Sequence, residues 1–213
     1  MRVSGMVSRK QSGMGMIEVL VTLVILLVGL LGLAGLMTQA QRSEMESYQR
    51  VQALILLQDM VSRLNTNREV TGYRAIRAGA TASGVDCAGT TIAQQDVCEW
   101  HNALLGSAET ASGVGNIGAM IGARGCIDYD ADSQRSNTSG QAVGTVLDGA
   151  TVTTAVGAAI PNSGTYTVSV AWQGLGETAA PPVSLGCGKD QYGNEAQRRV
   201  VSEPVRFATL NMQ

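Results

Sequence analysis

The chain has a single histidine, His101, and no two cysteines in a Cys-x-x-Cys spacing. A zinc centre needs four nitrogen or sulfur ligands, commonly including such a pair, so no metal site is expected. No Gly-x-Ser-x-Gly elbow occurs, and no acid pair is placed for hydrolysis. Those absences remove the usual nucleophilic and acid–base arrangements, so neither an enzyme nor a small-molecule substrate nor a cofactor is expected. Gly113-Val114-Gly115-Asn116-Ile117-Gly118 spells a dinucleotide fingerprint without the preceding strand and βαβ context that give it meaning. Asp128, Asp130 and Asp132 alternate like the start of a calcium loop, but Ser133 and Ser139 stand where an EF-hand needs Gly and Glu. They read as solvated turn acids, with a calcium site on these three carboxylates as the alternative. One phenylalanine beside 26 glycines points to a loop-rich globular part with a modest core.

The longest absence is of charge: after Glu18 no charged residue appears until Arg42. A carboxylate at the mouth of so apolar a run is costly, about 2.5–3.5 kcal/mol at a bilayer centre, and calls for a partner. Gly13 lies five residues upstream, behind the basic residues Arg2, Arg9 and Lys10. A new amino terminus made by proteolysis would supply the missing positive charge. The pattern Gly13-Met14-x-x-x-Glu18 resembles the prepilin leader motif of type IV pilins and type II secretion pseudopilins. The resemblance implies that a membrane peptidase cuts after Gly13 and methylates Met14, leaving Glu18 as the fifth mature residue. Two departures are Gly15, where many pilins have Thr, and Met14 in place of the commoner Phe. A plain signal anchor accounts for the length of the run but not for the position of Glu18. A cleaved secretory signal has an apolar core of only about 7–15 residues, shorter than Val19 to Met37.

Three basic residues and no acid occupy residues 1–13 upstream of the helix, whereas Arg42, Glu44, Glu46 and Arg50 follow the apolar run as a mixture. The positive-inside bias puts the amino terminus in the cytoplasm and the large C-terminal part in the periplasm. Without the leader the side chains number 12 basic and 17 acidic, a charge of −5, which gives no electrostatic case for nucleic acid. Cys87, Cys98, Cys126 and Cys187 all lie beyond the membrane run, in an oxidising compartment. Three pairings are possible; Cys87–Cys98, closing a local loop, and Cys126–Cys187, tying an early strand to the turn before the last one, are favoured.

No proline occurs from Met14 to Arg63, and glycine stops after Gly35 until Gly72. One helix of about 50 residues is expected there, roughly 75 Å at 1.5 Å per residue. Gly29, Gly32 and Gly35 are its weak point, open either to close packing in lipid or to local melting. Ala53, Leu57, Met60 and Leu64, flanked by Leu54 and Val61, form one apolar face, which leaves Ile55 and Leu56 for contact with a neighbouring subunit. Asn65-Thr66-Asn67 predicts the helix stop. The stretch 68–124 reads as irregular, with a short helix in 92–105 that sets Trp100 and Leu104 on one face. Strands are expected at 125–129, 151–159, 165–172 and 200–207. Tyr166, Val168, Val170 and Trp172 share one face, and Pro204 puts the last strand at an edge.

The run Met16 to Leu36, the glutamines from Gln39 to Gln58, and Gln197-Arg198-Arg199-Val200-Val201 resemble the type IV pilus modification protein (PilV) family of minor pilins. The resemblance implies an α+β, pilin-like lollipop, a long helix with a membrane-spanning first half and an antiparallel sheet head with disulfide-stapled loops. Its parts would be a leader (1–13), a filament-core half-helix (14–38), an amphipathic half-helix (39–66) and an extracytoplasmic head (67–213). Function would lie in assembly. Such proteins prime type IV pilus formation with other minor pilins, join the major pilin in the fibre near a tip adhesin, and support twitching motility and adhesion. They are processed by prepilin peptidase and wait in the inner membrane before assembly. The alternatives are a type II secretion pseudopilin, whose relatives usually have shorter heads, and a membrane-anchored periplasmic binding domain that never polymerises.

Overall fold

The structure, a computed structural model, describes residues 15–68, 70–83, 85–107, 110–111, 115–116, 120–134 and 163–207. The chain divides into two compact units, Met1–Met45 and Glu46–Gln213. One helix, α1 (Gly15–Thr66), contributes to both. The remaining elements are β1 (Ile76–Gly79), α2 (Ile92–Leu104), β2 (Thr110–Ala111), β3 (Gly115–Asn116), β4 (Ile121–Asp130), β5 (Gly164–Gln173) and β6 (Arg198–Phe207). This is the expected α+β arrangement: a long amino-terminal helix, an antiparallel sheet and two disulfides.

Among the described residues, β1, β4, β5 and β6 form an antiparallel sheet in the order β1-β4-β5-β6, and β2 and β3 make a separate two-stranded hairpin. Pro204 sits on β6 at the sheet edge, where a residue without an N–H is tolerated. Opposed residues in an antiparallel pair share a face, so Ile127, Val168 and Gly125, Val170 point towards the helices. Against them lie Ala53, Leu56, Leu57, Met60 and Leu64 of α1 with Val97, Trp100 and Leu104 of α2. The expected alternation in β5 holds on this face: Tyr166, Val168, Val170 and Trp172 are buried. Ala171 is buried as well, because the other face is covered by Cys187 and Tyr192 of the 174–197 excursion.

Two positions of the apolar face differ from expectation. Leu54 is 41% exposed, while Leu56 is only 8% exposed and belongs to the core. Leu56 stands three residues after Ala53 and four before Met60, about 60° from Ala53 around the helix, whereas Leu54 is turned away by about 100°. Leu56 is therefore not available to a neighbour; Ile55, 55% exposed, is. Two boundaries also move. β1 forms inside a stretch expected to be irregular, and β4 starts at Ile121, not Gly125. The strand expected at 151–159 lies outside the described residues.

The helices meet the sheet through Trp100. Thr91 caps α2 in a reciprocal box with Gln94, which fixes where the helix starts. About two turns on, Trp100 is fully buried, and its Nε1 donates to Leu56 O of α1 at 2.9 Å. Its ring lies on Gly125, where a Cβ would come within 2.3 Å of Cη2 and 2.7 Å of Leu104 Cδ1. Glycine is required here for close approach. Gly125→Ala should destabilise the folded unit by about 1–3 kcal/mol through overpacking, read as a lower urea midpoint at unchanged slope.

Candidate functional site

The apolar segment at the start of α1 is the part of the molecule that most needs an environment. Every large apolar side chain from Met16 to Met37 is at least half exposed. Monomeric soluble proteins rarely show contiguous apolar surface beyond a few hundred Å². The segment is long and apolar enough to cross a membrane. Its two hydroxyls are satisfied within the helix: Thr22 Oγ1 donates to Val19 O at 2.9 Å, and Thr38 Oγ1 donates to Gly35 O at 2.8 Å. No polar side chain between Glu18 and Thr38 therefore asks for water, as lipid or an apolar assembly requires. The helix runs unbroken through Gly29, Gly32 and Gly35, and a Cβ at any of them would meet nothing within 4 Å. Packing inside the chain does not explain those glycines.

Glu18 lies in the first turn of α1 and is exposed. A carboxylate there is favoured by the free N–H groups of the helix start. Among the described residues it has no ion-pair or hydrogen-bond partner. Gly13 and Met14 lie outside the described residues; the described part of the site is an acid at the mouth of an apolar helix.

Residues 8–34 match the prokaryotic N-terminal methylation motif. The chain carries a prepilin-type amino terminus. No curated protein and no solved structure matches it. A prepilin-type leader implies a type IV pilin or pseudopilin, a structural subunit and not an enzyme, which prepilin peptidase processes and which assembles with other pilins. Together with the apolar helix it implies membrane anchoring followed by incorporation into a pilus. The match ends at residue 34.

The other residues singled out in the sequence take structural roles. Cys87 is bonded to Cys98, pinning the loop before α2 to that helix, and Cys126 of β4 is bonded to Cys187 across 5.8 Å between Cα atoms. Asp128 pairs with Arg77 at 2.6 Å, and Asp130 accepts from Asp132 N at the start of a short 3₁₀ turn. Asp128 thus lies on a strand and not in the turn expected, and it pairs with a cation while staying about half exposed. His101 is half-buried, not a free surface side chain: its Nδ1 accepts from Gly79 N at 2.9 Å and so closes the end of β1. Of the glycine-rich segment 113–118, only Gly115–Asn116 are described, as β3 of the small hairpin.

Sequence reasoning missed the polar clasp between α1 and α2. Asp96 accepts from Arg63, Asn67 and Tyr73, and Arg63 also reaches Asp59 and Glu99. Burial, then the bond to Asp96, pushes the Tyr73 phenol up. Only the Asp59–Arg63 spacing of four carried a signal. Under the outer face, burial pushes the Tyr192 phenol up to about 12, against the opposing charge of Arg124. Its OH donates to Gly122 O at 2.9 Å. A phenol whose folded pKa is raised stabilises fully below its unfolded value, near 10, and that contribution is lost as pH rises through the folded value. The urea midpoint should therefore fall between about pH 10 and 12, and Tyr192→Phe should flatten part of that fall.

Proposed function

We propose that the protein is a minor pilin that helps prime type IV pilus assembly and is then built into the fibre near its tip, supporting twitching motility and adhesion. Glu18, which has no partner among the described residues and stands at the mouth of the exposed apolar helix, carries the reading. On this reading the leader is 1–13, cleavage follows Gly13, and the amine of Met14 is methylated. Residues 14–38 form the core-building half-helix, 39–66 the amphipathic half, and 67–213 the head. The amino terminus faces the cytoplasm and the head the periplasm until assembly. Its partners are other minor pilins, the major pilin and a tip adhesin. In an apolar surround the amine of Met14, from the same or a neighbouring chain, neutralises Glu18. An unpaired carboxylate would be disfavoured, so the pair selects the register between subunits.

The size of the head supports the pilus over the type II secretion system, whose comparable subunits usually have shorter heads. Intact mass of protein from native membranes tests the first step: loss of residues 1–13 plus one methyl group is expected. A full-length mass would instead mark a membrane-anchored domain that never polymerises. Glu18→Ala should be processed to the corresponding mass yet be missing from sheared fibres. Normal incorporation and normal twitching in that variant would refute the register role. A deletion strain that secretes poorly but twitches normally would transfer the protein to the secretion system.

A further inference from the structure

The outer face of the sheet, away from α1, carries chemistry that assembly through the helix does not use. In the register of β1 with β4, Arg77 stands opposite Cys126 and Gly79 opposite Arg124, so both cationic side chains belong to the face that bears the disulfide. The 174–197 excursion, held there by Cys126–Cys187, brings Lys189 to the same place. These three cations line a cleft of about 420 Å³ together with Thr81, Ser83 and Gln191. Among the described residues no carboxylate lines it, although the protein as a whole is acidic.

The cations are not equally free. Arg77 is neutralised by Asp128 at 2.6 Å. Arg124 is bonded only to neutral oxygens, Ala80 O at 2.7 Å and Thr81 Oγ1. Its Cζ lies 5.5 Å from the centroid of the Tyr192 ring, so the guanidinium is held on two sides before any ligand arrives. Its buried Nε has no acceptor among the described residues. Lys189 makes no ion pair within 4 Å among the described residues, and the acid acting on it, Glu195, is already paired with Arg198. A fixed planar fork beside a flexible ammonium suits a compact oxyanion. The larger cleft of about 560 Å³ between β1 and α2 is lined by both Arg77 and Asp86 and has no such bias.

We propose that the smaller cleft binds a carboxylate-bearing sugar. The carboxylate meets Arg124 and Lys189, and the ring hydroxyls meet Thr81, Ser83 and Gln191, whose side chains both donate and accept. Its volume falls in the range of small-molecule sites. A nucleic-acid strand is disfavoured: no aromatic side chain lines the cleft to stack on bases. A net acidic protein also repels an extended polyanion.

Calorimetric titration of the full chain in a nonionic detergent with trigalacturonate tests the proposal. Saturable binding below about 10 mM is expected, and Lys189→Glu should weaken it by about tenfold or more. Trigalacturonate methyl ester, which keeps the hydroxyls and loses the charge, should not bind. Lys189 is exposed, so the charge reversal leaves the fold in place, as an unchanged melting temperature will verify. No heat with trigalacturonate, equal affinity in Lys189→Glu, equal affinity for the ester, or equal affinity for inorganic phosphate would each overturn it. Processing and fibre incorporation are read separately, so failure here leaves the pilin reading standing.

Discussion

Replacing Trp100 with alanine should lower the stability of the folded unit by about 3–5 kcal/mol, the range for emptying a fully buried large aromatic site. The indole touches three elements at once. It rests on Gly125 of β4, it lies beside Leu104 on its own helix, and its Nε1 donates to Leu56 O of α1. Gly125 cannot collapse into the space left, because it has no side chain to move. Leu104 and Leu56 can close only part of it, so the cavity persists. With total stabilities of about 5–15 kcal/mol for ordinary domains, the loss is a large fraction of what holds the unit together. A melting-temperature drop of about 10 °C or more is expected at constant detergent. Trp100→Phe should recover more than half of it, since the ring volume is mostly restored and only the bond to Leu56 O is lost. A drop of no more than a degree or two in Trp100→Ala would mean that α2 is held by something other than its indole.

Removing the Cys126–Cys187 bond with a double alanine substitution should cost about 4 kcal/mol by the loop-entropy relation, since the bond closes 61 residues of sequence separation. The same relation gives about 3 kcal/mol for Cys87–Cys98, whose separation is 11. The difference should be larger than the relation alone implies. Cys126 and Cys187 are also packed with Ala171 and Tyr192 on the outer face, so the substitution removes buried sulfur as well as a crosslink. The excursion 174–197 has other anchors. Buried Arg198 donates to Leu185 O at 2.6 Å and to Cys187 O at 3.1 Å, and it pairs with Glu195. The loop should therefore stay attached while global stability falls. Denaturation of the two double variants beside the parent ranks the bonds; a smaller loss for Cys126–Cys187 than for Cys87–Cys98 would contradict this account.

What could be read from the sequence depended on whether the signal was local. The lone Glu18 before an uncharged run is visible in one dimension, because bilayer cost depends on composition and not on neighbours. β5 was legible for a similar reason, since Tyr166, Val168, Val170 and Trp172 recur at every second position and one face is enough to fix it. The Trp100 and Leu104 spacing placed α2 correctly. Short β1 was not legible: four residues containing Arg77 and Gly79 carry no alternation, and the strand exists because β4 offers it a ladder. The same holds for His101 and Arg198. Each is a polar side chain whose burial is decided by a backbone group distant in sequence, Gly79 N in one case and Leu185 O with Cys187 O in the other. At the candidate site the acid itself was legible, while the glycines of α1 stayed ambiguous because nothing within the chain packs against them.

The longer of the two edge strands of the sheet is guarded against one kind of aggregation. β6 is ten residues long and unpaired on one side among the described residues, a template on which another polypeptide could add itself. Pro204 deprives that border of a donor midway, and Arg199, Glu203 and Arg206 place charge along it. Crowded copies would find no continuous ladder to extend along that border.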